Sequence, residues 1–204
     1  MRRAKKEDIA KITDLLVERF YDLEMFTFVS EGMENPRETL KILTQGEVEM
    51  FFSRGEVYIN DEITCVLSGL PSDKFGIFVQ LTGSLHTLRR LKYVSKKDRS
   101  IVLERNKSMS KIYSTKKWYR KYTKNSYYIA QAAVSKELKG TGTFRALIMP
   151  VLEDCRNKRM DVVLETATFS NVAIYEHFGF KLMETHSSPE IPFAIYCLLK
   201  RWDQ

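Results

Sequence analysis

The chain has 204 residues, 44% of them hydrophobic, with a net charge of +7, and this composition predicts a single domain over residues 1–204. No apolar run approaches the roughly 18 residues that span a bilayer, and the charged amino terminus MRRAKKEDIAKI does not suit a signal peptide, so we expect a cytoplasmic protein without a membrane partner. Three widely spaced cysteines argue against a disulfide framework, and three histidines show no metal-ligand spacing with them, so no metal is expected.

The amino-terminal part of the chain predicts two helices and a hairpin. Helical periodicity over residues 9–23 predicts the first amphipathic helix, and residues 36–53 predict the second. The segments EVYIN (56–60) and ITCVLSGL (63–70) are separated by two acidic residues, which predicts a β-hairpin. Two further helices are predicted over residues 74–93 and 98–115.

The positive charge is concentrated in residues 84–124, which contain 14 Lys/Arg against 2 Asp/Glu. Three interpretations remain open: a solvated helix face, attraction of an anionic coenzyme or acidic substrate, and nucleic-acid binding through the aromatic and basic stretch KKWYRKYTKN (116–125). The solvated face carries the most weight and nucleic acid the least.

A glycine-bearing loop precedes the next predicted helix. Residues 127–134 (YYIAQAAV) predict a strand, and SKELKGTGT (135–143) is a polar loop that opens a helix. A loop of this kind gathers free backbone N–H groups at the positive end of the helix dipole, which suits a pyrophosphate. Phe144 begins the apolar stripe of the helix and is predicted to face the core, and Pro150 is predicted to bend the helix or to remove one backbone bond.

Residues 161–180, DVVLETATFSNVAIYEHFGF, contain a short β-branched strand over 162–164 and then a short helix. Ser170 is predicted to cap this helix, and Gly179 suits the left-handed position just past its end. Asn171 and Tyr175 are four residues apart, so they lie on one helix face and can touch one ligand. The competing interpretation is that Asn171 only caps and Tyr175 only packs.

The order of residues in 161–180 resembles the carboxyl half of the acyl-CoA site in the GNAT N-acetyltransferase superfamily. The upstream loop is similar to the superfamily pattern Gln/Arg-x-x-Gly-x-Gly/Ala, which holds the coenzyme A pyrophosphate. The matching residues are Lys139, Gly140, Thr141, Gly142, Thr143 and Phe144. Gly142 agrees with the pattern, whereas Lys139 and Phe144 depart from it; Lys139 still offers a donor and adds positive charge.

A closer resemblance is to the puromycin N-acetyltransferase-like branch. In that branch, Leu-x-x-Pro in the motif helix is followed by Leu-Glu-Thr and Asn-x-x-x-Tyr-Glu. The matching positions are Leu147 to Pro150, Leu164-Glu165-Thr166, and Asn171 through Tyr175-Glu176.

The resemblance implies an α/β GNAT fold with a mostly antiparallel central sheet, splayed middle strands and flanking helices. A basic helical insertion over residues 72–125 would precede the fourth strand. The activity implied is transfer of an acetyl group from acetyl-CoA to a primary amine of a small molecule or peptide. The resemblance leaves open whether the protein is a homodimer.

The resemblance also suggests roles for individual residues. The pantetheine arm would pair with strand backbone near Ala133 and Val134, where an N–H would stabilise the oxyanion. Asn171 would orient the coenzyme and Tyr175 would protonate the departing thiolate. Glu165 is the candidate base, with a structural Glu165 and an ordered water as alternatives. The competing hypothesis is a catalytically degenerate fold that binds coenzyme A or nucleic acid without turnover, which the two departures from the loop pattern and the basic segment motivate.

Overall fold

The computed structural model describes residues 1–72, 74, 89–113 and 118–203. In this part, the helices are α1 (Ile9–Phe20), α2 (Glu24–Ser30), α3 (Pro36–Arg54), α4 (Lys96–Met109), α5 (Thr143–Asn157) and α6 (Ser170–His177). The strands are β1 (Arg2–Arg3), β2 (Glu56–Ile59), β3 (Cys65–Pro71), β4 (Ser126–Val134), β5 (Asp161–Thr166), β6 (Lys181–His186) and β7 (Ile195–Lys200). Short 3-10 helices cover Lys6–Asp8, Trp118–Lys121 and Lys136–Leu138.

The strands form one seven-stranded sheet with the order β1-β2-β3-β4-β5-β7-β6. The β4–β5 pair is parallel, and the other neighbouring pairs are antiparallel. This arrangement confirms the predicted α/β fold with a mostly antiparallel sheet. The β2–β3 hairpin and the helix predicted over 36–53 are also confirmed.

Side chains on the two faces of the sheet pack against different elements. On the front face, α5 and α6 cover β4 and β5, with Leu147 and Ile148 of α5 fully buried against Leu164. On the back face, α1 and α3 cover β2 to β4, and an aromatic cluster that includes Trp118 covers β5 and β7. Tyr128 of β4 contacts both back-face clusters, so these clusters are neighbours on one side of the sheet.

A β-bulge interrupts β4 where it leaves β5. The β3–β4 register pairs Gly69 with Ile129 but Ser68 with Gln131, so Ala130 is an extra residue on β4. The parallel β4–β5 pairing ends at Ile129 and Leu164, immediately before this extra residue. Both strands continue beyond that point, which leaves an opening between them at their carboxyl ends.

Several predicted boundaries differ from the structure. The first helix ends at Phe20, and α2 follows as a separate helix after Leu23, because the chain turns at 21–23. Ser170 does not cap α6 from outside; it is the first helical residue, the cap position is Phe169, and no side chain caps the helix. Gly179 has a φ of +84°, as predicted for the position past the helix end.

The predicted basic insertion lies only partly in the described residues. Between β3 and β4, α4 covers 96–109, a shorter span than the predicted 98–115 at its carboxyl end. Most of the helix predicted over 74–93 lies outside the described residues, so the insertion as a whole stays a prediction. Within the described ranges, no helix combines the length and apolar character that crossing a bilayer requires.

Candidate active site

The loop before α5 is exposed at Gly140, Thr141 and Gly142, and the N–H groups of Lys139 and Thr141 donate within it, to Lys136 C=O and Leu138 C=O. Gly140 and Gly142 have φ values of +82° and +84°, a left-handed conformation that glycine adopts without steric cost. Gly142 is the cap residue of α5, and its C=O accepts the first helical bond from Ala146 N–H at 3.0 Å. No side chain caps the helix, so the first N–H groups of α5 are available to an anion.

Phe144 points towards the core, as its place in the apolar stripe predicts. Its half-buried ring packs edge-on against Tyr175 and Phe178 of the α6 region, with ring centroids 5.9 and 5.5 Å apart. The side chain is therefore directed at α6 and not across the glycine loop. This packing explains how a bulky residue occupies a position where the superfamily pattern has a small one.

The opening between β4 and β5 exposes the backbone of Val134. Ser135 N–H donates to Thr64 C=O at 2.8 Å, and the register pairs Val134 with Cys65. Because bonding alternates along an antiparallel pair, the N–H and C=O of Val134 point away from β3 and those of Ala133 point towards it. The N–H of Val134 is thus directed into the opening.

Helix α6 is fixed at both ends. At its amino end, Asn171 Nδ2 donates to Thr166 Oγ1 of β5 at 3.2 Å. At its carboxyl end, Phe180 N–H donates to Tyr175 C=O and Gly179 N–H donates to Glu176 C=O, which is the Schellman arrangement. The Tyr175 and Phe180 rings pack with centroids 5.6 Å apart, completing the apolar contact of that motif.

Tyr175 is buried on the front face, 9% exposed. Burial raises the pKa of its hydroxyl to about 12, and no described neighbour offsets this effect. The hydroxyl therefore stays protonated throughout the physiological pH range, as a proton donor requires.

Glu165 follows Leu164, the last residue of β5 that pairs with β4, and lies on the back face, beside the aromatic cluster. Burial raises the pKa of its carboxyl above the ordinary 4.5, while the Trp118 indole, His186 and the Tyr128 hydroxyl act in the opposite direction. Trp118 Nε1 is fully buried without a hydrogen bond of normal geometry, and so is the hydroxyl of Tyr119. Glu165 is a carboxylate with raised basicity at the edge of the opening.

Two polar residues near the opening were missed by sequence reasoning. Gln131, just past the bulge, accepts from Ser68 Oγ at 3.0 Å and donates to Glu47 Oε2 of α3 at 2.9 Å. Glu47 has no motif around it, and a helical pattern alone treats it as a solvated surface residue. Only the β4 bulge, which turns Gln131 to the back face, brings Glu47 to the site.

Two of the three aromatic residues of the basic stretch are buried, and Tyr122 is half-buried. Trp118 and Tyr119 are 1% and 3% exposed, so neither ring offers a face for stacking on a base. Five basic residues of the segment form ion pairs with acids from elsewhere in the chain: Arg90–Glu49, Lys97–Glu34, Arg105–Glu31, Lys111–Glu190 and Lys121–Glu184. Part of the local charge therefore faces acidic residues of the same fold.

Comparison with known proteins gives a fold and one distant relative. No family model matches the chain. An uncharacterized N-acetyltransferase of Schizosaccharomyces pombe is 32% identical over 75 residues, which cover 35% of this chain and only 30% of that protein.

Solved structures of other proteins match nearly the whole chain, among them the following two. The structure described as histone acetyltransferase HPA2 and related acetyltransferase, from Corynebacterium glutamicum, has a TM-score of 0.68 at 18% identity and covers 98% of this chain and 94% of that one. The carboxyl-terminal condensation domain of Ebony, in complex with β-alanyl-dopamine, has a TM-score of 0.65 at 10% identity, with 98% and 97% covered. The chain has a GNAT-type acetyltransferase fold.

Proposed function

We propose that the protein is an N-acetyltransferase that transfers an acetyl group from acetyl-CoA to a primary amine of a small molecule or peptide. The observation that carries this proposal is the opening between β4 and β5 beside the glycine loop, together with a buried tyrosine on the front face of the sheet and a half-buried carboxylate on the back face. The distant N-acetyltransferase relative and the fold support it.

The coenzyme would bind mainly through backbone groups. Its pyrophosphate would sit on the amides of the loop over 139–144, with Lys139 adding positive charge. The pantetheine arm would then enter the opening and pair with the outward N–H and C=O of Val134, as an added strand does. Asn171 uses its Nδ2 on Thr166 and would accept from the arm through Oδ1.

Each step of the transfer would use a different group. Glu165 would take a proton from the incoming ammonium, because an ammonium has no lone pair with which to attack. The amine nitrogen would then bond to the thioester carbon, and the developing oxyanion would accept from Val134 N–H. Collapse would break the carbon–sulfur bond, Tyr175 would give its proton to the departing thiolate, and the proton that the nitrogen loses on forming the amide would return to Tyr175 through solvent.

The branch of the superfamily and a cytoplasmic location also belong to this proposal. The puromycin-type resemblance suggests the branch, and it rests on residues of α5, β5 and α6 alone. Cys65, Cys155 and Cys197 are buried and unpaired, which fits the reducing conditions of a cytoplasm.

Acetyl-CoA binding and turnover test the proposal together. A ligand that binds only the folded state at one hundred times its Kd stabilises that state by about 2.7 kcal/mol, so saturating acetyl-CoA should raise the melting temperature. Release of free thiol should then depend on an added amine. If acetyl-CoA binds but no amine from a broad panel releases thiol, the degenerate coenzyme-binding fold is the correct hypothesis. If millimolar acetyl-CoA neither shifts the melting temperature nor gives heat in a titration, the enzyme proposal is wrong.

A further inference from the structure

The connection between β5 and α6 contains a hydroxyl group that accepts two hydrogen bonds. Thr166 is the last residue of β5, and its Oγ1 accepts from Thr168 N–H and from Asn171 Nδ2, each at 3.2 Å. Both lone pairs of this oxygen are therefore in use. Asn171 N–H in turn donates to Thr168 C=O at 3.0 Å. These three bonds tie the start of α6 to the end of β5.

Thr166 lies at the opening, on its front side. The β4–β5 pairing ends at Leu164, two residues before Thr166. Because side chains alternate along a strand, Thr166 faces the same front side as Val162 and Leu164. Its backbone still pairs with β7, opposite Tyr196. The hydroxyl is thus attached to a paired strand on one side, while the opening lies on the other.

The bonds of Thr166 decide which end of the Asn171 amide is presented to a ligand. The two ends of an asparagine amide have nearly the same shape but opposite hydrogen-bonding character, one a donor and one an acceptor. With Nδ2 on Thr166, the acceptor Oδ1 is left over, and none of the described residues donates to it. Asn171 is half-buried, so a molecule in the opening can reach it. A free acceptor at this point suits an N–H donor, and the pantetheine arm carries two amide N–H groups.

A purely structural role for Thr166 would need only one of its two bonds. A threonine hydroxyl that accepts from the backbone N–H two residues later closes a common type of turn, and the bond from Thr168 N–H does this. The bond from Asn171 Nδ2 adds nothing to that turn, because the backbone bond from Asn171 N–H already fixes the start of α6. The second bond restrains the side chain of Asn171 alone.

We propose that Thr166 is a positioning residue, which holds the Asn171 amide with Oδ1 towards the opening and so selects an amide N–H of the pantetheine arm as its partner. This inference rests on the proposed function for the identity of the ligand. It concerns binding of the coenzyme and not the transfer step, so it can be measured without an amine. Thr166 acts through Asn171 and makes no contact of its own with the coenzyme.

The test compares coenzyme A with adenosine 3′,5′-bisphosphate, which resembles its nucleotide end and lacks the pantetheine arm. Thr166→Val keeps the shape of the side chain and removes the acceptor. The affinity for coenzyme A in isothermal titration should fall by about two- to tenfold, the range for one hydrogen bond between neutral groups, and the affinity for the bisphosphate should stay the same. Thr166→Ser keeps the hydroxyl and should restore the affinity for coenzyme A. With an accepted amine, the effect of Thr166→Val should fall on the KM for acetyl-CoA more than on kcat.

Thr185→Val is the matched control. Thr185 of β6 pairs with Tyr196 from the other side of β7, is exposed, and makes no side-chain hydrogen bond within the described ranges. The same substitution there should change neither affinity. If Thr166→Val does not fold, as its melting curve will show, Thr166→Ala removes the same acceptor without the second methyl group.

A double-mutant cycle shows whether Thr166 acts through Asn171. Asn171→Ala should weaken coenzyme A binding, and adding Thr166→Val to it should cause no further loss. A full additional loss would overturn the inference, because Thr166 would then act on its own. Wild-type affinity for coenzyme A in Thr166→Val, or an equal loss for coenzyme A and the bisphosphate, would also overturn it and leave the proposed function intact. Failure of the wild-type protein to bind coenzyme A at all would contradict the proposed function itself, and the inference with it.

Discussion

The front and back sides of the opening are built in different ways. On the front side, the glycine loop and α6 belong to one stretch of about forty consecutive residues, and the loop's contacts are mainly backbone amides. On the back side, Glu47, Tyr113, Trp118, Gln131 and Glu165 come from separate parts of the chain and contribute side chains. A coenzyme common to many enzymes can be held by a local pattern, whereas an acceptor specific to one enzyme needs a surface that only the complete fold assembles.

The largest expected effect concerns Tyr175, the one front-side group with a proposed chemical role. Tyr175→Phe keeps the ring contacts with Phe144 and Phe180 and removes only the hydroxyl. Turnover should fall by about 10² to 10⁴, the usual contribution of a positioned acid, while acetyl-CoA affinity stays the same. The measurement is single-turnover kinetics with an accepted amine.

The control for Tyr175 is Tyr127→Phe, because Tyr127 is a second buried front-face tyrosine, on β4, without a proposed chemical role. Its turnover should match the wild type. Unchanged turnover in Tyr175→Phe, with chemistry shown to be rate-limiting, would make the front side purely a binding surface.

The next effect concerns Glu165 and its pH dependence. A base works only when deprotonated, so activity should rise with pH through the Glu165 pKa, which burial places above 4.5. Glu165→Gln should lower kcat by about 10² near neutral pH and remove the rise of activity with pH on the acidic side of the pH–rate profile. Activity should recover in part at high pH, where the amine substrate is already neutral. A pH–rate profile of both proteins measures the change.

Glu176→Gln, on the exposed surface of α6, should leave the pH profile intact. If Glu165→Gln keeps the wild-type rise of activity with pH on the acidic side of the profile, the carboxylate is structural and the base is another group.

The smallest effect concerns the backbone of the glycine loop. Gly142→Ala adds a methyl group where no atom lies within 4 Å, so its only cost is the left-handed φ of +84°. That conformational strain costs about 1–2 kcal/mol. If the loop moves to relieve the strain, its amides shift, and acetyl-CoA binding should weaken by up to about tenfold. Isothermal titration and melting temperature measure the two effects.

Gly32→Ala is a matched control, because Gly32 has a φ of +82° and lies far from the loop in sequence, next to Ile101. Both variants should lose similar stability, but only Gly142→Ala should lose coenzyme affinity. Equal coenzyme affinity in both would show that the loop amides do not hold the ligand.

The difference between the front and back sides of the opening also explains which features the sequence could predict. The glycine loop, the α5 stripe and Gly179 are local patterns, so their conformations follow from a few neighbouring residues, and the structure agrees with them. The position of Ser170 was wrong because a cap depends on where the preceding loop places the chain, and here Phe169 is at that position. The roles of Glu47 and Trp118 depend on contacts across dozens of residues. The charge of the stretch 116–125 left nucleic-acid binding open, but the burial of the Trp118 and Tyr119 rings decides its structural role.

The extra residue Ala130 divides β4 into two segments, and the alternation of side chains between the two faces shifts by one residue from the first segment to the second. Before it, the odd-numbered residues Tyr127 and Ile129 face the front; after it, the even-numbered residues Ala132 and Val134 do. Removing Ala130 would restore regular pairing with β3 and leave Gln131 on the back face, because Ile129 before it and Ala132 after it both face the front. In a relative of this chain, a single-residue gap in this stretch is therefore expected to let the β4–β5 pairing continue past Ile129 and Leu164 and to narrow the opening, even if every other residue were identical.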